Sequence, residues 1–198
     1  MTIAAIILAA GRSTRMGSNK LLEFLRDRPL LRHVVDAALA SRAYPVFVVT
    51  GHNEDTIRAT LSSSDVSFIA NPDFAEGLST SLKAGVRALP SSIDAALILL
   101  GDMPLITHEL INQMIDIFNA SPHALAVVPT YQGEWGNPVL LARSLFDDVQ
   151  RLEGDAGARK LLHTHRTDVI EMPVTCDNVL IDLDTPEALA KARANHQG

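Results

Sequence analysis

Residues Leu8 to Lys20 read LAAGRSTRMGSNK, a combination suited to a ligand carrying several negative charges. Gly11 and Gly17 let backbone pass close to a ligand, and Arg12, Arg15 and Lys20 bring three cations into one loop. The run before it, IAAIILAAG (3–11), is continuously apolar and ends in glycine, the pattern of a strand buried on both faces. A strand, a glycine-bearing loop and a following helix form a general phosphate cradle, because backbone N–H groups and the helix dipole point at the anion. Two common versions are excluded. Only two residues separate Gly17 from Lys20, and Leu21 follows where G-x-x-x-x-G-K-[ST] needs Ser or Thr. The dinucleotide fingerprint G-x-G-x-x-G is also absent. A solvated turn is the alternative, but this much charge directly behind a buried strand favours a phosphate site.

The second chemical group is Asp102 in GDMPL (101–105), which follows the apolar run of DAALILLGD (94–102). An aspartate at the carboxyl end of a central strand lies where open α/β sheets bind their ligands. Its hard oxygens suit Mg²⁺, which uses one or two carboxylates together with phosphate oxygens and water. Capping of the turn before Pro104 is the competing role. Asp182 and Asp184 in LIDLDTP are two residues apart and share a side in an extended segment. Asp184 is also placed to cap the closing helix, with Thr185 a rival, Pro186 at the first helical position and Glu187 in the first turn. Asp182 therefore ranks first as the second metal ligand.

The chain has 198 residues, 47% of them hydrophobic, so it can bury a core of ordinary domain size; one domain over 1–198 is expected. A net charge of −6 argues against general nucleic-acid binding, which needs surplus Lys and Arg. Six of the 17 basic residues nevertheless fall within the first 32 positions, a local anion site in an acidic protein. The single Cys176 cannot form an internal disulfide, which suits a reducing cytoplasm. No apolar run approaches the ~20 residues that span a bilayer, so no membrane association is expected.

Short aliphatic runs alternate with amphipathic segments. Strands are expected at 3–11, 45–51, 66–72, 94–102, 124–131 and 136–143, with 179–186 a last strand or extended segment. Helices are expected at 30–41, 54–63, 79–89 (capped by Ser79 or Thr80), 107–118 (opened by Thr107), 144–152, 155–165 and 186–195. This rhythm predicts an α/β, Rossmann-like three-layer sandwich around a mainly parallel mixed sheet.

The pattern L-A-A-G-x-S-x-R-M-G-x-x-K, filled by Leu8 to Lys20, resembles the nucleotidyltransferases with a nucleotide-diphospho-sugar transferase fold. GLSTSLKAG (77–85), GDMPL, GNPVLL (136–141), GDAGARKLL (154–162) and DLDTPEAL (182–189) follow in the order of one branch, the molybdenum cofactor cytidylyltransferase type. The resemblance implies transfer of CMP from CTP to the terminal phosphate of molybdopterin, with Mg²⁺ as cofactor. A molybdenum hydroxylase or its chaperone would be the implied recipient of the product. LAAG, where the guanylyltransferase relatives resemble LAGG, favours CTP over GTP through Ala10. Arg15, Lys20 and Asp102 are the implied catalytic residues, with Asp102 and Asp182 on the metal. Leu8, Ala9, Ala10, Gly11, Arg12, Ser13, Gly17, Lys20, Thr50, Asn71, Gly77, Ser79 and Ser81 would bind the nucleotide. Among these, Ser79 is equally explained as a helix cap, and Thr50 by a strand-end turn. Asn137, Asp155 and Arg159 would bind the acceptor, although Asp155 and Arg159 also fit a plain i,i+4 surface pair. The acceptor phosphate is already mostly ionised at neutral pH, so no strong base is required. None of the seven histidines lies in the loop 11–20, in GDMP or in DLDTP.

Overall fold

The computed structural model describes residues 1–12 and 19–195. Its spine is β1 (Ile3–Leu8), six residues with every side chain buried. Ile3, Ala5 and Ile7 face one layer while Ala4, Ile6 and Leu8 face the other, as strand alternation requires. β4 (Val46–Thr50) and β6 (Ala95–Leu100) pair with β1 on either side, both parallel. β5 (Ser67–Ala70) extends the sheet beyond β4. On the other side β9 (Val139–Ala142) runs antiparallel between β6 and β7 (Ala126–Tyr131), and β10 (Val169–Pro173) closes the edge parallel to β7. β8 (Glu134–Trp135) folds back on β7. Among the described residues the order is β10-β7-β9-β6-β1-β4-β5, the mainly parallel mixed sheet expected.

Helices cover both faces. α1 (Leu30–Ala40), α2 (Glu54–Thr60) and α4 (His108–Asn119) bury Leu31, Val34, Ile57, Ile111 and Met114 against the Ile7 face. α3 (Leu78–Arg87), α5 (Phe146–Val149) and α6 (Ala158–Leu162) bury Leu82, Val86, Phe146 and Leu161 against the Ile6 face. Thr107 caps α4, its hydroxyl accepting from the Leu110 N–H at 3.4 Å. No helix among the described residues is long and apolar enough to cross a membrane.

Several expectations are corrected. α3 is capped by Gly77, not by Ser79 or Thr80; Gly77 has φ 115°, and the chain enters the helix one residue early. Residues 144–152 form only a 3₁₀ turn running into α5, and 155–165 only α6 followed by a 3₁₀ stretch. The segment 179–186 is not a strand. Its peptide group at Leu183 donates to the carbonyl of Asp102 at 2.9 Å instead of joining the sheet. α7 (Pro186–Asn195) is capped by Thr185, whose Oγ1 accepts from Ala188 N, and not by Asp184. β10 and a small hairpin of β2 (Phe24–Leu25) and β3 (Arg28–Pro29) are additional.

That hairpin matters for position. Leu25 and Leu30 join Leu183, Leu189 and Ala192 in a separate small core, which clamps the C-terminal segment beside the loop following β1. Leu183 is 1% exposed, so Leu183→Ala removes a buried side chain from a cluster with few members. A loss of about 2–4 kcal/mol in urea unfolding is expected. A cost below about 0.5 kcal/mol would show that this cluster does not hold the segment.

Candidate active site

The carboxyl ends of β1 and β6 lie level, with Leu8 paired to Leu100, so the loops that leave them must meet. Gly101 N donates to Leu8 O at 3.1 Å and Ala9 N to Val49 O at 2.9 Å, fixing the start of the first loop to both neighbouring strands. Where the chain is next described, Asn19 caps a 3₁₀ turn (Lys20–Leu22) by accepting from Leu21 N at 3.1 Å. This turn directs Lys20 across the cleft, where Nζ meets Asp102 Oδ2 at 2.5 Å. The Leu183–Asp102 backbone bond brings Asp182 and Asp184 to the same corner.

These elements enclose a cleft of about 600 Å³. Leu8 lines it from the end of β1, Ala10, Gly11, Arg12 and Lys20 from the first loop, and Gly77 and Ser81 from the start of α3. Asp102, Asp155 and Asp182 supply its carboxylates. Arg12 stands at the exposed rim with Cζ 5.4 Å from the centre of the Phe74 ring. A smaller pocket of about 270 Å³ shares Leu8, Leu78, Leu100 and Asp155 with the cleft and gathers Asn137, Arg159 and Lys160. Gly136 places Asn137: a Cβ at Gly136 would lie 2.6 Å from the carbonyl oxygen of Val179, and Asn137 N donates to that oxygen. Arg159 is oriented through Nη1, which donates to Trp135 O at 2.7 Å. Asp155 precedes α6, which begins at Ala158, so it and Arg159 do not share one helical turn.

Other anticipated residues lie elsewhere. Ala9 is turned into the core, and Thr50 is fully buried with its hydroxyl toward Ile69 O. Asn71 is engaged at both ends: Nδ2 donates to Thr80 and Ser81, and Oδ1 accepts from Asp73 N. It therefore ties the loop after β5 to α3 and sets the position of Ser81. Ser79 is 1% exposed and away from the cleft surface; its N–H bonds to Gly154 O. Gly77 serves that same docking, since a Cβ there would come within 2.5 Å of the Gly154 backbone. Ser13, Arg15 and Gly17 lie outside the described residues. Sequence reasoning missed Phe74 and Lys160. The aromatic of NPDF just after a strand, and the second cation of GARK, were the available signals.

Burial pushes the Asp182 carboxyl above its ordinary range, and the charges of Asp102 and Asp184 push it the same way; Lys20 offsets part of the effect. Carboxylates crowded against their own repulsion suit a divalent cation, and hard oxygen donors on two aspartates fit Mg²⁺ or Mn²⁺. Among the described residues no group of three or more His, Cys, Asp or Glu is placed to hold a metal ion.

Residues 5–169 match the MobA-like NTP transferase domain. The chain belongs to that family. It is accordingly a nucleotidyltransferase by family, and the match takes in Lys20, Asp102 and Arg159 while Asp182 lies past its end. The chain is 28% identical to the molybdenum cofactor cytidylyltransferase of Escherichia coli (strain K12), over 98% of this chain and 97% of that one. It is 31% identical to the purine catabolism protein PucB of Bacillus subtilis (strain 168), over 93% of each. The crystal structure of Rv0371c from Mycobacterium tuberculosis H37Rv matches with a TM-score of 0.84 at 27% identity, covering 98% of both chains. Another structure of Rv0371c is a complex with manganese (TM-score 0.81, 27% identity, 98% and 99% covered).

Because Asp182 ionises less readily folded than unfolded, its charge costs stability above the folded-state pKa and costs nothing below the ordinary value of 3.8. Asp182→Asn should therefore raise the Tm of the metal-free protein at about pH 8. The gain should shrink toward zero as the pH falls to about 4. A lower Tm for Asp182→Asn at the higher pH would contradict the crowding of charge described here.

Proposed function

We propose that this protein transfers CMP from CTP to the terminal phosphate of molybdopterin and releases pyrophosphate. One observation carries the reading: a cationic and carboxylate-bearing cleft opens through shared walls into a second pocket with its own Arg and Lys. Two anionic substrates then meet at the boundary, near Leu8, Leu100 and Asp155. The name of the Escherichia coli relative supports CTP and molybdopterin as the pair.

In this reading an acceptor phosphate oxygen attacks the α-phosphorus of CTP. The new O–P bond forms as the bond to the β-phosphate oxygen breaks, and its electron pair leaves on pyrophosphate. Little proton chemistry is needed, so the protein supplies positioning and charge neutralisation. Lys20, Arg12 and Arg15 neutralise the β- and γ-phosphates. Gly11 allows close passage of the triphosphate, while Ala10 and Ser81 border the nucleoside. Arg159, with Asn137 and Asp155, holds the acceptor in line. Mg²⁺ on Asp102 and Asp182 supplies Lewis-acid neutralisation of phosphate charge when bound. The site lies on a single domain whose product passes to a molybdenum hydroxylase or its chaperone.

A second reading keeps the fold and the reaction but changes the nucleotide or acceptor. The similarity to PucB, named for purine catabolism, favours it.

Pyrophosphate release with each of the four nucleoside triphosphates and Mg²⁺, with and without molybdopterin, decides between them. Release only with CTP and molybdopterin together is expected; release with another nucleotide and molybdopterin selects the second reading, and none with any nucleotide rejects molybdopterin as the acceptor. Asp102→Ala should lower kcat/KM at least about 10³-fold in a protein that still melts cooperatively. Arg159→Ala should raise KM for the acceptor about tenfold or more while leaving KM for CTP within about twofold. An equal rise in both would place Arg159 outside the acceptor pocket.

A further inference from the structure

The carboxylate assigned above to a divalent cation already carries a cation. Lys20 Nζ and Asp102 Oδ2 meet at 2.5 Å, with side chains 19% and 15% exposed. The partners come from separate loops, one after β1 and one after β6, and the bond crosses the cleft that must admit the triphosphate. We infer that Lys20 is a resident counter-ion that keeps the metal off Asp102 until a nucleoside triphosphate arrives, so that metal and nucleotide bind as one unit. The inference rests on the reading of Asp102 as a metal ligand.

Three facts make the exchange physically natural. An ammonium is a compact charge on a flexible four-carbon stem, so it can turn from a carboxylate to phosphate oxygens in the same cleft without backbone movement. Asp182 lines that cleft too, and the Leu183–Asp102 backbone bond keeps the acidic segment at hand. Removing the ammonium alone would leave neighbouring carboxylates repelling one another in a partly buried site. A bare metal ion must therefore displace a charge-assisted hydrogen bond. A metal arriving with a triphosphate displaces it too but offsets the loss, because the β- and γ-phosphates give Lys20 a new partner as Asp102 changes hands. By linkage, nucleotide then tightens metal binding by the same factor as metal tightens nucleotide binding. Lys20 thus has two roles in sequence, first as a surrogate for the metal and then as a ligand to phosphate.

The test uses Mn²⁺ alone, without nucleotide or turnover, with free Mn²⁺ measured by electron paramagnetic resonance. Lys20→Met should bind Mn²⁺ about tenfold more tightly than the wild type, and Lys20→Arg should stay within about twofold of it. Lys20→Gln repeats the measurement with a polar side chain if Lys20→Met does not fold. Mn²⁺ should also raise the Tm of the neutral variant more than that of the wild type, an effect that loss of a merely structural ion pair would not produce. Asp102→Asn should abolish the tight Mn²⁺ site of the neutral variant. Equal or weaker Mn²⁺ binding by Lys20→Met and Lys20→Gln, still sensitive to Asp102→Asn, overturns the counter-ion role and leaves the metal assignment standing. Mn²⁺ binding indifferent to Asp102→Asn removes the metal assignment and the inference with it.

Discussion

The parallel pairing of β1 with β6 is the constraint on which the site depends. Both strands are enclosed by apolar side chains, so polar chemistry is confined to the strand ends. Their register brings Leu8 level with Leu100, and the two loops that follow begin on one line. A shift of one residue would send the Ile6 face into the Ile7 layer and carry Asp102 away from the first loop. Packing of both faces therefore fixes the meeting of Lys20 with Asp102 as firmly as their own attraction does.

The site is not a plain cationic trap. Arg12 and Lys20 share the cleft with Asp102, Asp155 and Asp182. Such a mixture holds a phosphate chain less tightly than a purely basic groove would, and it favours a ligand whose charge is already part-neutralised by a metal ion. It also suits turnover, since pyrophosphate must leave the same surface that received the triphosphate. The adjoining pocket repeats the theme with Asn137, Asp155, Arg159 and Lys160.

The parts of the fold buried on two faces were legible from sequence, because IAAIIL, VFVVT and AALILL are continuous apolar runs with clear ends. β10 was not legible. VIEMP is a half-exposed edge strand, so it carries no apolar run, and Pro173 at its end reads as a break. Two-residue strands such as β2 and β3 are too short to show a period. At the site, Asp102 and Lys20 could be singled out by charge behind buried strands. The burial of Thr50, Asn71 and Ser79 could not, because it follows from contacts between separate parts of the chain: Thr50 with Ile69, Asn71 with Thr80 and Ser81, and Ser79 with the loop at Gly154. The cap of α7 was misjudged for a related reason. The helix begins at Pro186 as expected, but Leu183 is drawn into a small core with its peptide held by Asp102, and Thr185, next to Pro186, supplies the cap.

The clamp on Leu183 also gives the site a history within each round of synthesis. Asp182 leaves the ribosome about 160 residues after Lys20, a delay on the order of 10–30 s at ~5–20 residues per second. By the end of that interval, once β10 has emerged, Asp102 stands on a nearly complete sheet, yet the corner lacks its second acid and the helix that pins it. A nascent chain can therefore fold around the nucleotide-facing half before it is equipped to act, and synthesis itself sets when the active site is finished.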